Sequence, residues 1–325
     1  LMIGVPYHRT VDVAPGVRAT FSDAGHILGS ASVALDVTED GRTTRLVFSG
    51  DVGRRGLPII RDPQPPGGAH VVLMESTYGD RDHAPYESAR ERLAEVVRET
   101  AARGGRVLVP AFAVGRTQEL VYDLHALARE GRIPRIPVVI DSPLAIDATG
   151  VFAAHPEAFD RGEDLVQRVQ HLFHFPLVRY TRDVADSKAL AAESGPMVII
   201  AASGMAESGR ILHHLAHHAG DPRNTVLIVG FQALGRRIVE RRPTIRVFGD
   251  EVPLRAQVEV LDGYSAHADR IELALWLDAV RAASPELRRV HLVHGEPAAQ
   301  DALALWLSAK GYAVDAPAPG EVRLA

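Results

Sequence analysis

The sequence predicts an α/β protein in which buried strands alternate with helices. Three observations support this fold class. From about residue 86 onward, short apolar runs alternate with longer amphipathic segments, which is typical of a parallel sheet covered by helices. Residues 1–80 instead contain several short β-branched runs separated by turn residues. The chain has 325 residues, enough for about two domains, and 46% of them are hydrophobic.

The N-terminal part is predicted to be rich in strands. The predicted strands are residues 17–22, 32–37, 44–48 and 71–74. A loop rich in proline and glycine, residues 63–68, precedes the last of them.

The pattern changes at residue 86. Residues 86–102 are predicted to form a helix, because Leu93, Val96 and Val97 recur at helical spacing between charged residues. The strands predicted next are 107–109, 138–140, 197–201 and 226–229, with helices at 115–129 and 207–218. The tail continues the alternation, with strands at 258–261, 290–293 and 321–324 and helices at 270–282 and 297–310.

The composition excludes several classes of protein. The chain has no cysteine, which excludes disulfide scaffolds, cysteine-ligated metals and a thiol nucleophile, whereas 15 histidines keep metal chemistry open. The formal net charge is −5, which excludes a strongly basic surface but not a local basic groove. Signature motifs of phosphate-loop ATPases, serine esterases and dinucleotide-binding enzymes are missing from the sequence.

The sequence contains no apolar run of about 18 residues, so no membrane span is expected. No signal peptide is recognisable at the start, and the lack of cysteine makes the cytoplasm the expected location. The chain opens with Leu1 in ordered-looking sequence, and we expect it to begin partway through a longer protein.

Carboxylate and imidazole side chains, which can bind metals or transfer protons, occur where predicted strands end. Asp51 and Glu75 directly follow strands, His267 and His294 lie after two others, and His26 lies in a glycine-rich turn. The carboxyl ends of strands are where sites form in α/β proteins, and these side chains suit a metal such as zinc or manganese. Taken singly, each has an ordinary explanation as a turn or cap residue, and spacing alone does not bring them together.

Six motifs in order give the sequence a resemblance to a known family. They are residues 24–31, 48–51, 75–79, Gly204-Met205 with Ser208-Gly209, residues 264–267 and residues 292–296. This set, which spans essentially the whole chain, resembles the β-CASP group of metallo-β-lactamase-fold nucleases. The resemblance implies an αββα metallo-β-lactamase sandwich with an inserted α/β β-CASP domain. It assigns residues 1–85 to the first part of the sandwich, residues 86–245 to the β-CASP domain and residues 246–325 to the C-terminal part that completes the sandwich.

The resemblance also implies roles for the strand-end residues. His26 and His294 would be zinc ligands, and Asp51 would bridge two zinc ions. Glu75 would pair with His267, and that pair would assist proton transfer at the scissile phosphate. Two metals held by such groups are suited to in-line displacement at phosphorus.

One family motif has no counterpart here. The His-x-His-x-Asp-His motif, which supplies further ligands, is expected upstream of His26, where only His8 occurs. We expect truncation to be the explanation, in which case the sandwich would be N-terminally incomplete; a degenerate, inactive family member is the alternative. With three of the expected ligands, the chain alone is predicted to bind zinc weakly and to be weakly active or inactive. The segment 230–237 is also shorter than in bacterial relatives.

The same resemblance, together with the positions of basic residues, suggests candidate RNA contacts. Ser265 resembles the phosphate-holding turn of the family, and Ser203, Gly204 and Arg116 are weaker candidates. A basic group that includes Arg236 and Arg237 could follow the phosphate backbone or could equally be a solvated surface with ion pairs. Aromatic residues are 6% of the chain, which argues against extended base stacking and favours weakly sequence-specific recognition of single-stranded RNA.

The leading hypothesis is therefore a zinc-dependent RNA hydrolase, an endonuclease that could also act as an exonuclease, in RNA processing or decay. The alternative is a non-catalytic family member that binds RNA or a partner protein. Hydrolysis of a small ester is a third hypothesis, which the large insertion disfavours. DNA as substrate and a homodimer both stay open.

Overall fold

The structure, a computed structural model, describes residues 3–160, 175–230, 236–284, 286–318 and 320–322. The chain divides into two compact units: unit 1 comprises residues 1–83 and 266–325, and unit 2 comprises residues 84–265. Unit 1 is therefore built from both ends of the chain, and unit 2 is inserted between them. The units divide the chain at residues 83/84 and 265/266; the domain bounds expected from the resemblance, at residues 85/86 and 245/246, stay a prediction.

The secondary structure of the described residues alternates as an α/β fold requires. Its strands are β1 (Thr10–Ala14), β2 (Val17–Asp23), β3 (Ala31–Glu39), β4 (Arg42–Phe48), β5 (Val71–Glu75), β6 (Arg106–Pro110), β7 (Val138–Ile140), β8 (Val178–Tyr180), β9 (Met197–Ala201), β10 (Thr225–Ile228), β11 (Thr244–Val247), β12 (Asp250–Pro253), β13 (Gln257–Val260), β14 (Arg289–Val293) and β15 (Val314–Asp315). Its α-helices are α1 (Tyr86–Ala102), α2 (Arg116–Arg129), α3 (Pro143–Ala154), α4 (Val184–Ala192), α5 (Arg210–His218), α6 (Arg236–Val239), α7 (Arg270–Ala283) and α8 (Pro297–Ala309).

Unit 1 contains a seven-stranded sheet in the order β1-β2-β3-β4-β5-β14-β15. The pairs from β1 to β4 are antiparallel, and those from β4 to β15 are parallel. Helices α7 and α8 pack on one face, where Val47, Met74 and Leu292 meet Trp276 and Leu303 in a buried cluster. Because side chains alternate along a strand, the residues between these belong to the opposite face.

That opposite face is apolar but only half-buried. Leu35 of β3 is paired with Leu46 of β4, and Phe48 of β4 is paired with Leu73 of β5, so all four lie on the same side of the sheet. Each of these four side chains is intermediate in exposure, in contrast to Val47 on the helix-covered side, which is fully buried. The two faces of this sheet therefore differ in how completely they are covered.

Unit 2 contains a six-stranded sheet in the order β13-β10-β6-β9-β7-β8, and every pair in it is parallel. Strands β6, β7, β9 and β10 are buried along their whole length, as expected for a sheet covered on both faces. Strand β13 pairs in register with β10, Val258 opposite Val226, and this pairing places residues 257–260 in unit 2. The apolar run alone could not indicate which sheet it joins.

The structure confirms the predicted α/β class and most predicted elements, including the helix at 86–102 and the strand at 197–201. The elements that were not predicted are strands β1, β8 and β15, helices α3, α4 and α6, and the β11–β12 pair. Residues 321–322 are not a strand, and the remainder of the strand predicted at 321–324 lies outside the described residues. The same holds for residues 231–235 of the shortened loop. Among the described residues, no helix has the length and apolarity that a membrane crossing requires.

Candidate metal centre

Five side chains of unit 1 converge where its strands end. Asp51 lies between two histidines, with its carboxylate 3.9 Å from Nε2 of His26 and 3.2 Å from Nδ1 of His294. Beside them, Nδ1 of His267 lies 3.1 Å from both carboxylate oxygens of Glu75. The rings of His26 and His267 have centroids 4.3 Å apart. Residues that are up to 268 positions apart in the chain thus form one cluster.

The turn that carries His26 is held by its own hydrogen bonds. The backbone N–H groups of His26 and Ile27 lie 3.1 and 3.3 Å from the hydroxyl oxygen of Ser30, and the Gly25 N–H donates to the Asp23 carboxylate. The Ala24 N–H donates to the carbonyl of Ser30 and closes the turn. Satisfied backbone groups of this kind keep the imidazole in one place.

Gly53 brings the Asp51 loop against this turn. Its N–H donates to the carbonyl of Ala24 at 2.7 Å, and a Cβ atom at position 53 would lie 1.7 Å from the carbonyl oxygen of Gly25. Only glycine permits so close an approach of two backbones. Gly53 also forms an antiparallel bridge with His267, which fixes the third segment of the site to the same loop.

Glu75 is buried and has three hydrogen-bond donors around its carboxylate. Its carboxylate accepts from the Val52 N–H at 2.6 Å, the Thr77 N–H at 3.3 Å and the imidazole of His267. Burial raises the pKa of Glu75, but the hydrogen bond and the charge of His267, with the other donors, outweigh it and hold the pKa below its usual value. The ionised carboxylate therefore orients His267 by accepting from Nδ1 and leaves Nε2 of that ring free of Glu75.

His294 directly follows β14, and its backbone is strained. Its φ is 48°, in the left-handed region that residues other than glycine seldom adopt. The Ser76 N–H donates to its carbonyl, and the Thr77 hydroxyl lies 3.3 Å from Nδ1. Its side chain is 58% exposed, so it forms the open side of the cluster. Strain of this kind is common at functional positions.

The donors present suit a metal ion. Burial, followed by the positive charge of His267, lowers the pKa of His26 to about 4, so the ring is neutral near pH 7 and keeps a lone pair for coordination. Within the described residues, the buried Nδ1 atom of His26 has no hydrogen-bond partner. Two sets of three groups are close enough to hold one ion: His26, Asp51 and His267, and Glu75, His267 and His294. All donors are nitrogen or oxygen, which suits zinc or manganese.

The predicted RNA contacts lie in unit 2. Arg116 is buried and forms an ion pair with Glu119, so its guanidinium already has a carboxylate partner. Ser203 begins the loop after β9, and its hydroxyl oxygen accepts weakly from two N–H groups of that loop. Gly204 follows it. Ser265 is the last residue of unit 2, is buried, and donates its N–H to the carbonyl of Asp262.

The arginines near residue 236 largely form ion pairs with nearby carboxylates. Arg237 is 2.8 Å from Glu251, and Arg242 is 2.8 Å from Glu240. Both pairs are exposed, and exposed ion pairs contribute little to stability. The side chain of Arg236 lies outside the described residues.

Sequence reasoning missed the residues that hold the cluster together. Ser49 accepts from the Glu75 N–H at 3.0 Å, and Ser30 and Thr77 hold His26 and His294 as described above. All three lie inside the quoted motifs, so the signal available was a hydroxyl residue within one to four positions of a proposed ligand. Their pairing across distant segments is not visible in the sequence.

Two families match the chain. Residues 117–238 match the Beta-Casp domain, and residues 251–317 match the Zn-dependent metallo-hydrolase RNA specificity domain. The first match lies within unit 2. The second begins in unit 2 and continues into unit 1.

Several characterised proteins are similar to the chain. A ribonuclease of Thermus thermophilus is 41% identical over 308 residues, which cover 93% of this chain and 68% of that protein. The transcription termination factor FttA of Thermococcus kodakarensis is 32% identical over 313 residues, 90% of this chain and 46% of that protein. An RNase J-like protein of Methanocaldococcus jannaschii is 29% identical over 94% of this chain. The chain thus spans about half the length of the termination factor.

Proposed function

The chain belongs to the β-CASP group of metallo-β-lactamase-fold RNA nucleases, and from this premise we propose that it is a metal-dependent hydrolase of phosphodiester bonds in RNA. The observation that carries the proposal is the cluster in unit 1, in which Asp51 lies between His26 and His294 while Glu75 orients His267. These groups come from five different segments of the chain.

The metal ligands in this proposal are His26, Asp51 and His294, and the metal is zinc, with two ions in the complete centre. Bound metal would activate water and polarise the phosphoryl oxygens. The neutral state of His26 and the exposed edge formed by His294 support this assignment, because a ligand needs a lone pair and the substrate needs access. Asp51 presents one oxygen toward each histidine, as a bridging carboxylate does.

His267 is the proton donor to the leaving oxygen in this proposal. Its Nδ1 is held by the buried, ionised Glu75, which stabilises the protonated ring and fixes its orientation. Nε2 is then the atom that carries the transferable proton. Glu75 acts through His267 and does not itself touch the substrate.

The substrate in this proposal is single-stranded RNA, cut internally and in part from an end, during RNA processing or decay. Ser265, Ser203, Gly204, Arg236 and Arg237 are the proposed contacts to it; Arg116 stays a weaker candidate, because its buried guanidinium already forms an ion pair with Glu119. A cytoplasmic location, and a homodimer as one oligomeric option, complete the proposal. The name of the similar ribonuclease supports RNA as the substrate class.

A single-turnover cleavage assay tests the proposal. Protein in excess over end-labelled single-stranded RNA, with zinc, should give slow cleavage, because the chain alone is expected to be weakly active. Glu75→Gln should slow cleavage by about 100-fold, since it weakens the hold on His267. Glu286→Gln is the matched control: it alters an exposed histidine–glutamate pair of the same unit, His70 with Glu286, and should change nothing.

The result decides between two functions. Cleavage by the wild-type protein, however slow, supports the hydrolase, whereas binding of RNA and zinc without any cleavage favours the non-catalytic RNA-binding alternative. If Glu75→Gln and Glu286→Gln behave alike, the assigned proton-transfer pair is wrong even if cleavage occurs.

A further inference from the structure

We propose that Phe112 is a stacking platform for one nucleobase of the bound RNA, built on the backbone of Gly204. This inference rests on the proposed function, because it names how an RNA strand is held. It concerns unit 2 alone and involves none of the candidate metal ligands.

Two neighbouring loops build the platform. Strands β6 and β9 are paired in parallel, with Pro110 opposite Ala201, so the loops that follow them leave the sheet side by side. The Ala111 N–H donates to the carbonyl of Ala201 at 3.1 Å and joins the start of the first loop to the end of β9. Phe112 is the next residue. The carboxyl edge of a parallel sheet is the usual place for ligand contacts.

The ring of Phe112 lies on Gly204. A Cβ atom at position 204 would lie 2.6 Å from Cδ2 of the ring and 2.8 Å from both Cγ and Cε2. Because the three distances are nearly equal, this position is over the face of the ring; an approach in the ring plane would leave the two flanking atoms much farther away. Glycine at 204 therefore lets the backbone support one face of the ring directly.

Hydrogen bonds also fix the backbone from which the ring of Phe112 projects. The carbonyl of Phe112 accepts two hydrogen bonds from Thr117 at the start of α2, from the N–H at 3.3 Å and from the hydroxyl at 2.8 Å. In the same loop, the Gln118 side chain donates to the carbonyl of Ala113 at 3.2 Å. A ring held in this way loses little conformational entropy when a ligand stacks on it.

Despite this support, Phe112 is 43% exposed. A single exposed apolar residue is ordinary on a protein surface; what distinguishes Phe112 is that the backbone of Gly204 makes room for its ring without burying it. A flat apolar ring with one face supported suits a flat ligand. Nucleobases have such faces, and stacking tolerates any base, which agrees with weak sequence specificity. One such platform is compatible with the low aromatic content of the chain.

Phe248 provides a matched control. It is another exposed phenylalanine of unit 2, 59% accessible, on the turn between β11 and β12, and its ring packs against His213. Removing it takes away the same chemical group from a position that has no glycine beneath it in the described contacts.

The test measures RNA binding in EDTA, so that cleavage plays no part. A single-stranded oligoribonucleotide with 2-aminopurine at successive positions reports both affinity and stacking, since this base is quenched when it stacks. Phe112→Ala should weaken binding by about 5- to 150-fold and abolish the quenching at one position. Phe112→Trp should restore both, and Phe248→Ala should leave both unchanged.

Gly204→Ala, made alone and together with Phe112→Ala, tests whether the backbone of Gly204 supports the ring. Gly204→Ala should weaken binding in the wild-type background, because its methyl group displaces the ring, and should have no further effect beside Phe112→Ala. RNA binding that is equal in Phe112→Ala and Phe248→Ala overturns the platform and leaves the hydrolase proposal intact. A wild-type chain that binds no RNA overturns both proposals.

Discussion

The sheets of the two units differ in how their faces are covered. In unit 2, strands β6, β7, β9 and β10 are buried from end to end, so both faces of their sheet are closed. In unit 1, helices α7 and α8 cover one face, and the other presents half-buried Leu35, Leu46, Phe48 and Leu73.

The difference in how the two sheets are covered accompanies a difference in role between the units. Apolar area removed from water stabilises a unit in proportion to its extent, so unit 2 gains more from each core strand than unit 1 does. Unit 1 instead gathers the five chemically active side chains, one of which, His294, has a strained backbone. The chemistry is thus predicted in the unit with the less completely covered sheet, and each variant below tests one side of this contrast.

The largest effect is expected at the centre of the cluster. Asp51→Ala removes a carboxylate that lies near both His26 and His294, and zinc affinity should fall by at least about 100-fold, since loss of even an indirect partner costs 10- to 100-fold. Isothermal titration with zinc measures it. Asp12→Ala, an exposed acid of the same unit, is the control, and equal affinities in the two variants would contradict the assigned centre.

The next effect concerns the cores. Ile199→Ala, in fully buried β9, should lower the free energy of unfolding of unit 2 by about 2–5 kcal/mol. Leu46→Ala, on the half-buried face of unit 1, should cost about 1–2 kcal/mol, because less of its side chain leaves water.

Urea unfolding followed by two signals measures both. The two tryptophans of the chain, Trp276 and Trp306, belong to unit 1, so tryptophan fluorescence reports that unit and far-ultraviolet circular dichroism reports both. Leu46→Ala should shift the fluorescence transition, and Ile199→Ala the dichroism transition. Equal losses in the two variants would show that the exposed face of unit 1 is no less important than the closed core of unit 2.

The smallest effect is a dependence on pH that both units share. Burial, then repulsion by neighbouring cations, lowers the pKa of His26 in unit 1 and of His218 in unit 2 to about 4. The unfolded chain therefore binds more protons between pH 6.5 and 4. Stability from these groups is complete above pH 6.5 and declines as the pH falls toward 4, by less than about 1.4 kcal/mol per pH unit for each proton.

Histidine variants assign this dependence to each unit. In EDTA, His26→Asn should flatten the pH dependence of the fluorescence transition, and His218→Asn that of the dichroism transition. A fluorescence transition that keeps its full pH dependence in His26→Asn would show that another group of unit 1 carries it.

Much of the architecture was predictable because its signals are local. The helix over 86–102 shows apolar residues at helical spacing, and the strand over 197–201 is a continuous apolar run. The candidate site was predictable as a set of residues, because His26, Asp51, Glu75, His267 and His294 lie in short motifs of recognisable order.

Other features depend on partners that are distant in the chain. Strand β13 has an ordinary apolar pattern, and only its pairing with β10 places it in unit 2, which ends at residue 265. This placement has no local signal, because strand pairing is a property of the assembled chain.

The sequence by itself thus determined the α/β class, the family and the residue types of the site, since periodicity and motif order are written along the chain. The tertiary structure decided which groups meet: Asp51 between two histidines, Glu75 buried against His267, and Phe112 supported by Gly204. The physical reason is that each of these contacts joins segments far apart in sequence, and only folding sets their distances.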